Sequence, residues 1–175
     1  MDEGFAIWIT GLPASGKSTI AKALTKKLAE QGVKVQILES DELRRVLTPK
    51  PSYTEEERDN FYRALTYIGR LLVNNGVNVI FDATANKRKY RDEARKHIKR
   101  FLLVYAKCPL KVCMERDPKG IYKAALEGRA TTVPGLQVEY EEPEEAEVVV
   151  ETDKEQPEEA VAKILRRARE LLNLS

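Results

Sequence analysis

Cysteine, histidine, tryptophan and methionine are all scarce in this chain of 175 residues, which has two Cys, one His, one Trp and two Met. Both cysteines lie in CPLKVC, a spacing that is neither a paired metal-binding motif nor a disulfide framework. We therefore expect Cys108 and Cys113 to be reduced thiols in a cytoplasmic protein. The single histidine, His97, lies in a basic stretch, and we expect a surface position without a catalytic role.

Long apolar runs and a strong charge of either sign are also absent. The apolar stretch FAIWIT is far too short to span a bilayer, and we expect no signal peptide. Lys and Arg number 30 against 28 Asp and Glu, so the net charge of +2 gives no case for a nucleic-acid or membrane partner. With 42% hydrophobic residues, the composition is that of a globular chain, and the length favours one domain over residues 1–175.

Strand-like and helical patterns alternate along the chain. Apolar runs predict five strands, at 5–11, 34–40, 78–84, 100–107 and 147–152. Helical patterns fall at 17–32, 41–48, 54–76, 87–99, 110–117 and 157–174. This order predicts an α/β fold, with a five-stranded, mainly parallel sheet and helices on both faces. Residues 117–142 interrupt the order with glycines, prolines and lysines, and we expect them to form a lid.

The segment GLPASGKS follows the first predicted strand and fits the phosphate-loop pattern GxxxxGK(S/T) at every fixed position. Its glycines allow a tight wrap that points backbone N–H groups at phosphate oxygens, and the following helix adds its positive end. We expect Lys17 to reach the β- and γ-phosphates of ATP and Ser18 to place its hydroxyl on Mg²⁺. The residues expected to bind the nucleotide are Gly11, Leu12, Pro13, Ala14, Ser15, Gly16, Lys17, Ser18 and Thr19.

The phosphate loop alone leaves several classes of nucleotide-binding protein open. A GTPase would need a base-reading NKxD sequence, whereas the nearest string here is NKRK at 86–89. The short chain and the expected lid favour a P-loop kinase fold, because a lid excludes water from the phosphoryl donor. A nucleotide-binding regulatory module without turnover is the alternative from another class.

Two aspartates follow predicted strands, Asp41 after the second and Asp82 at the end of the third. Ligands of an open parallel sheet bind at the carboxyl ends of its strands. Either aspartate can therefore organise Mg²⁺ or accept the proton of an attacking hydroxyl. Arg44 lies three residues after Asp41 and can share its helix face. This pair suits an acceptor that carries both a hydroxyl and an anionic group.

Several segments together resemble the adenylylsulfate kinase family, whose members move the γ-phosphate of ATP to the 3′-hydroxyl of adenosine 5′-phosphosulfate (APS). They are GLPASGKST, LESDELRRVL, YTEEERDNFYRA and, most specifically, RDPKGIYKAALEG followed by VPGLQVEYEEP. The resemblance covers roughly residues 5–153. It implies ATP and Mg²⁺ as cofactors, APS as a small-molecule substrate and a role in sulfate assimilation. Because dimers are common in that family, it also suggests a homodimer.

The resemblance implies roles for individual acceptor-side residues. Asp41 matches the family's acid after the second strand, which helps to hold Mg²⁺ and the accepting hydroxyl. Arg44 and Arg58 match arginines that hold the APS acceptor. Tyr53 falls where the family has a phenylalanine that stacks on the acceptor's adenine.

Two further matches lie around the expected lid. Arg116 matches the lid entrance near the ATP base, and Lys119 matches a lid lysine near the phosphates. The chain also departs from the family pattern, at Ser40, Glu42, Phe61, Ala85 and Val133. These departures concern the acceptor rather than the kinase chemistry, because the phosphate loop is intact.

The segment VIFDATANKRKYR resembles other P-loop kinases instead, which keep an acid after this strand for hydroxyl acceptors such as sugars or nucleic-acid ends. On that alternative, Asp82 and Arg88 bind the acceptor and Asp82 shares or takes over the role of base. The acidic stretch at 139–147 is expected to be a solvated loop.

Overall fold

The structure is a computed structural model that describes residues 2–174, in which five strands and seven helices alternate. The strands are β1 (Ala6–Thr10), β2 (Val35–Glu39), β3 (Asn78–Asp82), β4 (Phe101–Lys107) and β5 (Val148–Glu151). The helices are α1 (Lys17–Glu30), α2 (Ser40–Leu47), α3 (Glu55–Asn74), α4 (Arg88–His97), α5 (Leu110–Arg116), α6 (Ile121–Leu126) and α7 (Pro157–Leu172).

The five strands form one sheet in the order β2-β3-β1-β4-β5, and every pairing in it is parallel. The predicted α/β fold is therefore confirmed, with a fully parallel sheet where a mainly parallel one was expected. Because all strands point the same way, the segments that follow them meet at one edge. The phosphate loop follows the central strand β1, while α2 and the segment after β5 lie at the two sides of the sheet.

Both faces of the sheet are buried, which explains the nearly continuous apolar strands. On one face, Ile7 and Ile9 of β1 pack with buried residues of α1 and α7. On the other, Trp8 stacks on Phe81 with ring centroids 4.5 Å apart, and both pack against α3 and α4. Helix α3 approaches so closely that a Cβ on Gly69 would lie 2.1 Å from the Phe81 ring.

Helix ends follow the signals that the sequence carries. Thr54 caps α3 by accepting a hydrogen bond from the N–H of Glu57 at 3.2 Å, as its position before Glu57 predicts. The same helix ends before Gly76, which adopts a left-handed φ of 81°. The predicted elements are all present, with ends displaced by one to a few residues.

The expected lid segment, 117–142, contains helix α6 and a small apolar cluster of its own. Tyr122, Ala125 and Val133 are buried there and pack with Leu12 of the phosphate loop. The Tyr122 hydroxyl donates to the carbonyl of Pro13 at 2.7 Å, so this segment is docked on the phosphate loop. Within residues 2–174 we find no helix with the length and apolar character needed to cross a membrane.

Candidate active site

A cleft of about 880 Å³ opens at the carboxyl ends of the strands. Its walls come from the phosphate loop after β1, from the ends of β2 and β3, from α3, and from the segments 116–121 and 152–157. These are the places where a parallel sheet binds its ligands. The topology therefore gathers, in one cleft, side chains that are distant in the sequence.

The phosphate loop places Lys17 at the start of α1, directly after Gly16 in the left-handed conformation (φ 94°). The Lys17 ammonium donates to the carbonyls of Gly11 at 3.2 Å and Leu12 at 2.9 Å. Burial lowers the pKa of Lys17, and the nearby carboxylate of Asp82 opposes that effect. Of the predicted loop residues, those that line the cleft are Pro13, Ala14, Gly16, Lys17, Ser18 and Thr19; Gly11, Leu12 and Ser15 are not part of its wall.

Ser18 and Asp82 are hydrogen-bonded to each other. The Ser18 hydroxyl donates to Oδ2 of Asp82 at 2.6 Å, and Asp82 is only 4% exposed. The contact follows from the sheet order, because β3 lies next to β1 and ends at Asp82. The Asp82 carboxylate thus orients the Ser18 hydroxyl, which was expected to bind Mg²⁺.

Asp41 lies in the first turn of α2, where it is paired with Lys119 of the expected lid. The Lys119 ammonium also lies 3.7 Å from Glu39 at the end of β2. Burial disfavours the charged lysine, but the two carboxylates outweigh it and raise the pKa of Lys119. The expected lid is therefore tied electrostatically to the carboxyl end of β2.

Arg44, Tyr53 and Arg58 form the group predicted to hold the acceptor, and the structure does bring them together at the cleft. Both guanidinium groups lie over the Tyr53 ring, at 5.1 Å for Arg44 and 5.9 Å for Arg58. Arg58 also donates to the carbonyl of Thr132 at 2.7 Å. Tyr53 has a left-handed φ of 55°, and Glu57 accepts a hydrogen bond from its N–H at 3.0 Å.

Arg116 lies at the other side of the sheet, where it contacts a segment that the sequence analysis missed. Its guanidinium donates to the Thr152 carbonyl at 2.8 Å, and residues 152–157 line the cleft beside it. The sequence did indicate residues 152–157, because they follow the fifth predicted strand. Ligands of a parallel sheet bind at the carboxyl end of any of its strands, which is the rule that selected Asp41. Glu39 and Tyr62 are further cleft residues that were not predicted.

Arg88 does not line the cleft, and its expected role in acceptor binding is corrected by the structure. Its guanidinium donates to the Glu142 carbonyl at 2.8 Å and lies 3.3 Å from a Glu144 carboxylate oxygen. Arg91 donates to the Glu141 carbonyl, and one turn further along α4 Arg95 pairs with Glu147. The acidic stretch 139–147 is therefore not simply solvated, because the basic helix α4 binds it through opposite charge.

Three of the scarce residues, His97, Cys108 and Cys113, lie outside the cleft wall. His97 lies 2.8 Å from Glu93 on α4. Cys108 and Cys113 are free and buried, and burial raises the pKa of the Cys113 thiol to about 12. Both cysteines belong to the apolar cluster that packs with Leu12 and Ala14 of the phosphate loop, so their contact with the site is one of packing.

The sequence model described as adenylylsulphate kinase matches residues 3–151. The chain belongs to the adenylylsulphate kinase family. It is 47% identical to a probable adenylyl-sulfate kinase of Archaeoglobus fulgidus, over 86% of this chain and 97% of that one. A probable adenylyl-sulfate kinase of Pyrococcus abyssi is 41% identical, over 97% of both chains.

A solved member of the family has the same fold. The Mycobacterium tuberculosis APS kinase, in complex with AMPPNP and APS, superposes with a TM-score of 0.89 at 29% identity. The match covers 95% of this chain and 98% of that one. The family and the P-loop kinase fold predicted from the sequence are both confirmed.

Two of the departures from the family pattern lie beside the acceptor group. Phe61 is buried in α3 under the guanidinium of Arg44. Val133 is buried in the cleft wall and has no ring to stack on a base. At a third departure, Ala85 has no side-chain hydroxyl, and its backbone N–H donates to the Tyr62 hydroxyl at 2.9 Å.

Proposed function

We propose that this chain is an ATP-dependent kinase that transfers the γ-phosphate to the 3′-hydroxyl of APS, giving 3′-phosphoadenosine 5′-phosphosulfate. One observation carries the proposal. The phosphate loop, through Lys17 and Ser18, lines the same cleft as a group of two arginines and a tyrosine, and Asp41 is also part of its wall. Family membership at 47% and 41% identity supports this reaction over the alternatives.

The donor nucleotide would lie along the phosphate loop. Backbone N–H groups at the start of α1 and the ammonium of Lys17 face the phosphates, and the low exposure of Lys17 strengthens its field. Arg116 and the segment 152–157 would hold the base, because they line the part of the cleft on the β5 side.

The acceptor would bind on the β2 side of the cleft. Arg44 and Arg58 supply positive charge for the phosphosulfate, and the exposed face of Tyr53 supplies a stacking surface for adenine. Asp41 lies three residues before Arg44 in α2, so a bound anion brings the sugar hydroxyl towards this carboxylate.

In the proposed step, the 3′-hydroxyl oxygen attacks the γ-phosphorus while the bond to the β,γ-bridging oxygen breaks. The hydroxyl proton passes to Asp41, and ADP leaves with the electron pair of the broken bond. Lys119 must first release Asp41, because a carboxylate in an ion pair is a weaker base. Lys17 stabilises the charge that develops on the transferred group.

The side chains around Ser18 fit a magnesium ion. Mg²⁺ prefers oxygen ligands and uses one or two carboxylates together with phosphates and water. Ser18 and Asp82 supply a hydroxyl and a carboxylate 2.6 Å apart, whereas within residues 2–174 no larger group of acidic, His or Cys side chains is arranged around a metal position. We therefore propose Ser18 and Asp82, with Asp41 nearer the acceptor. When bound, the ion would neutralise charge on the phosphates.

The test is ADP release from Mg²⁺-ATP with APS, and without an acceptor, together with identification of the phosphorylated product by mass. A panel of sugars and nucleosides tests the second acceptor class predicted above. ADP release that needs APS supports the proposal. Turnover with another hydroxyl compound and none with APS would show that APS is not the acceptor. Binding of ATP without any turnover would indicate a regulatory module.

A homodimer and a cytoplasmic location stay predictions. The two free, buried thiols support a reducing compartment. Light scattering on the purified chain tests the dimer directly.

A further inference from the structure

Arg44 is held in place by aromatic rings instead of a carboxylate. Its guanidinium carbon lies 3.9 Å from the centroid of the Phe61 ring and 5.1 Å from that of Tyr53. Within residues 2–174 it makes no ion pair, and its buried Nη1 has no hydrogen-bond partner. The guanidinium therefore lines the cleft without an acidic partner, and at least one of its nitrogen atoms is unpaired.

The Phe61 ring is itself fixed. It is 2% exposed in α3 and packs edge-on against Tyr62, with ring centroids 5.3 Å apart. It follows Arg58 by three residues, so the ring and the second acceptor arginine share one face of the helix. Because the Phe61 ring is fixed on a long helix, it fixes the position and the orientation of the Arg44 guanidinium that packs on it.

An aromatic support differs physically from an acidic one. The face of the ring attracts a guanidinium through its quadrupole but carries no net charge. An acidic partner would occupy N–H donors and cancel the positive field, whereas the ring leaves both available to an incoming anion. The ring therefore positions Arg44 while the N–H groups and the charge of its guanidinium stay available to an anion.

We propose that Phe61 is a positioning residue for acceptor binding, which fixes Arg44 for the anionic group of the acceptor. The identity of that anion as the phosphosulfate of APS rests on the proposed function. Phe61 is one of the positions at which this chain departs from the family pattern. The substitution changes how the acceptor arginine is held while leaving the kinase chemistry alone.

The experiment compares steady-state constants for APS and ATP in four proteins besides the wild type. Phe61→Leu removes the ring but keeps a large apolar side chain, and Arg44→Ala removes the cation. The double variant tests whether the two act together. Leu65→Val, one turn along α3 and fully buried, is the matched control for loss of core packing.

Phe61→Leu should raise the KM for APS by about 2- to 30-fold, the range to which cation–π energies correspond. Its kcat and its KM for ATP should stay close to wild type. In the Arg44→Ala background the same change should add nothing, because the ring then has no cation to hold. Leu65→Val should lower the melting temperature without this selective effect on APS.

Additive effects of Phe61→Leu and Arg44→Ala on the KM for APS would overturn the inference, as would an unchanged KM in a folded Phe61→Leu protein. A Leu65→Val protein with the same rise in KM would assign the effect to core packing instead. If wild type turns over another acceptor and not APS, the proposed function fails, and the same comparison is made with that acceptor.

Discussion

Replacing Asp82 with asparagine should raise the Mg²⁺ concentration that phosphoryl transfer requires. Asp82 is 4% exposed, and its carboxylate accepts a hydrogen bond from Ser18 at 2.6 Å. The change keeps the size of the side chain and one acceptor oxygen but removes the charge. It therefore tests the charge on Asp82 with little change in packing.

The expected magnitude follows from the place of Asp82, whose carboxylate orients the Ser18 hydroxyl proposed to bind the ion. Loss of a group that orients or supports a metal ligand typically lowers metal affinity by about 10- to 100-fold. We therefore expect a rise of about 10- to 100-fold in the Mg²⁺ concentration for half-maximal rate, which corresponds to about 1.4–2.7 kcal/mol. The low exposure of Asp82 limits screening by solvent, so the shift should persist at physiological salt.

The assay titrates Mg²⁺ at saturating ATP and acceptor, for wild type, Asp82→Asn and Asp41→Asn. Asp41→Asn should leave the Mg²⁺ midpoint near wild type and instead lower kcat at saturating Mg²⁺ by about 100- to 10,000-fold, as loss of a general base does. Asp92→Asn is the matched control, since Asp92 is an exposed acid on α4 outside the cleft. A midpoint that moves in Asp41→Asn and not in Asp82→Asn would refute the division of roles between the two aspartates.

Further outcomes follow from the same structure. Lys17→Ala should abolish turnover while thermal unfolding stays cooperative, because the ammonium acts on transition-state charge. Arg58→Ala should raise the KM for APS by about tenfold or more and leave the KM for ATP nearly unchanged. Limited proteolysis of the free protein should cut first within 117–142, with protection when ADP and acceptor are bound. Burial raises the pKa of Glu147, but bonds from Arg95 and a backbone N–H outweigh it and hold that pKa below its usual range. Glu147→Gln should therefore lower the free energy of unfolding at neutral pH and reduce its loss as the pH falls through the lowered pKa.

Each of these outcomes has a result that contradicts it. Near-normal turnover in a folded Lys17→Ala protein would remove the phosphate-loop assignment. A rise in the KM for ATP as large as that for APS would place Arg58 on the donor side. Equal cleavage of 117–142 with and without ligands would count against a lid, and an unaltered acid dependence in Glu147→Gln would show that other carboxylates control acid unfolding.

The sequence was sufficient for the order of elements and for the phosphate loop. Alternation of apolar strands with helical patterns is a local property, and a parallel sheet is the only economical way to join such units. The phosphate loop can also be predicted from local sequence, because GLPASGKS between a strand and a helix is sufficient to indicate its backbone conformation. The family resemblance, carried by RDPKGIYKAALEG, extended this to the reaction.

The partners of individual side chains needed the tertiary structure. Ser18 and Asp82 are 64 residues apart, and their contact exists because β3 lies beside β1 in the sheet. Arg88 follows the third strand and its aspartate in the sequence, as a substrate-binding residue would, yet in the structure it contacts the acidic stretch 139–147. Sequence fixes neither outcome, since a charge can pair with any opposite charge that the fold brings near.

The aromatic contacts of Arg44 show the same difference between what the local sequence predicts and what the tertiary structure decides. Residue type and spacing placed this arginine one turn after Asp41, and the resemblance gave it an anion to hold. Only the packing of α2 against α3 put the Phe61 ring 3.9 Å from its guanidinium. Local sequence determines which groups a helix face carries, whereas the distance and angle between two helices depend on the whole core that packs beneath them.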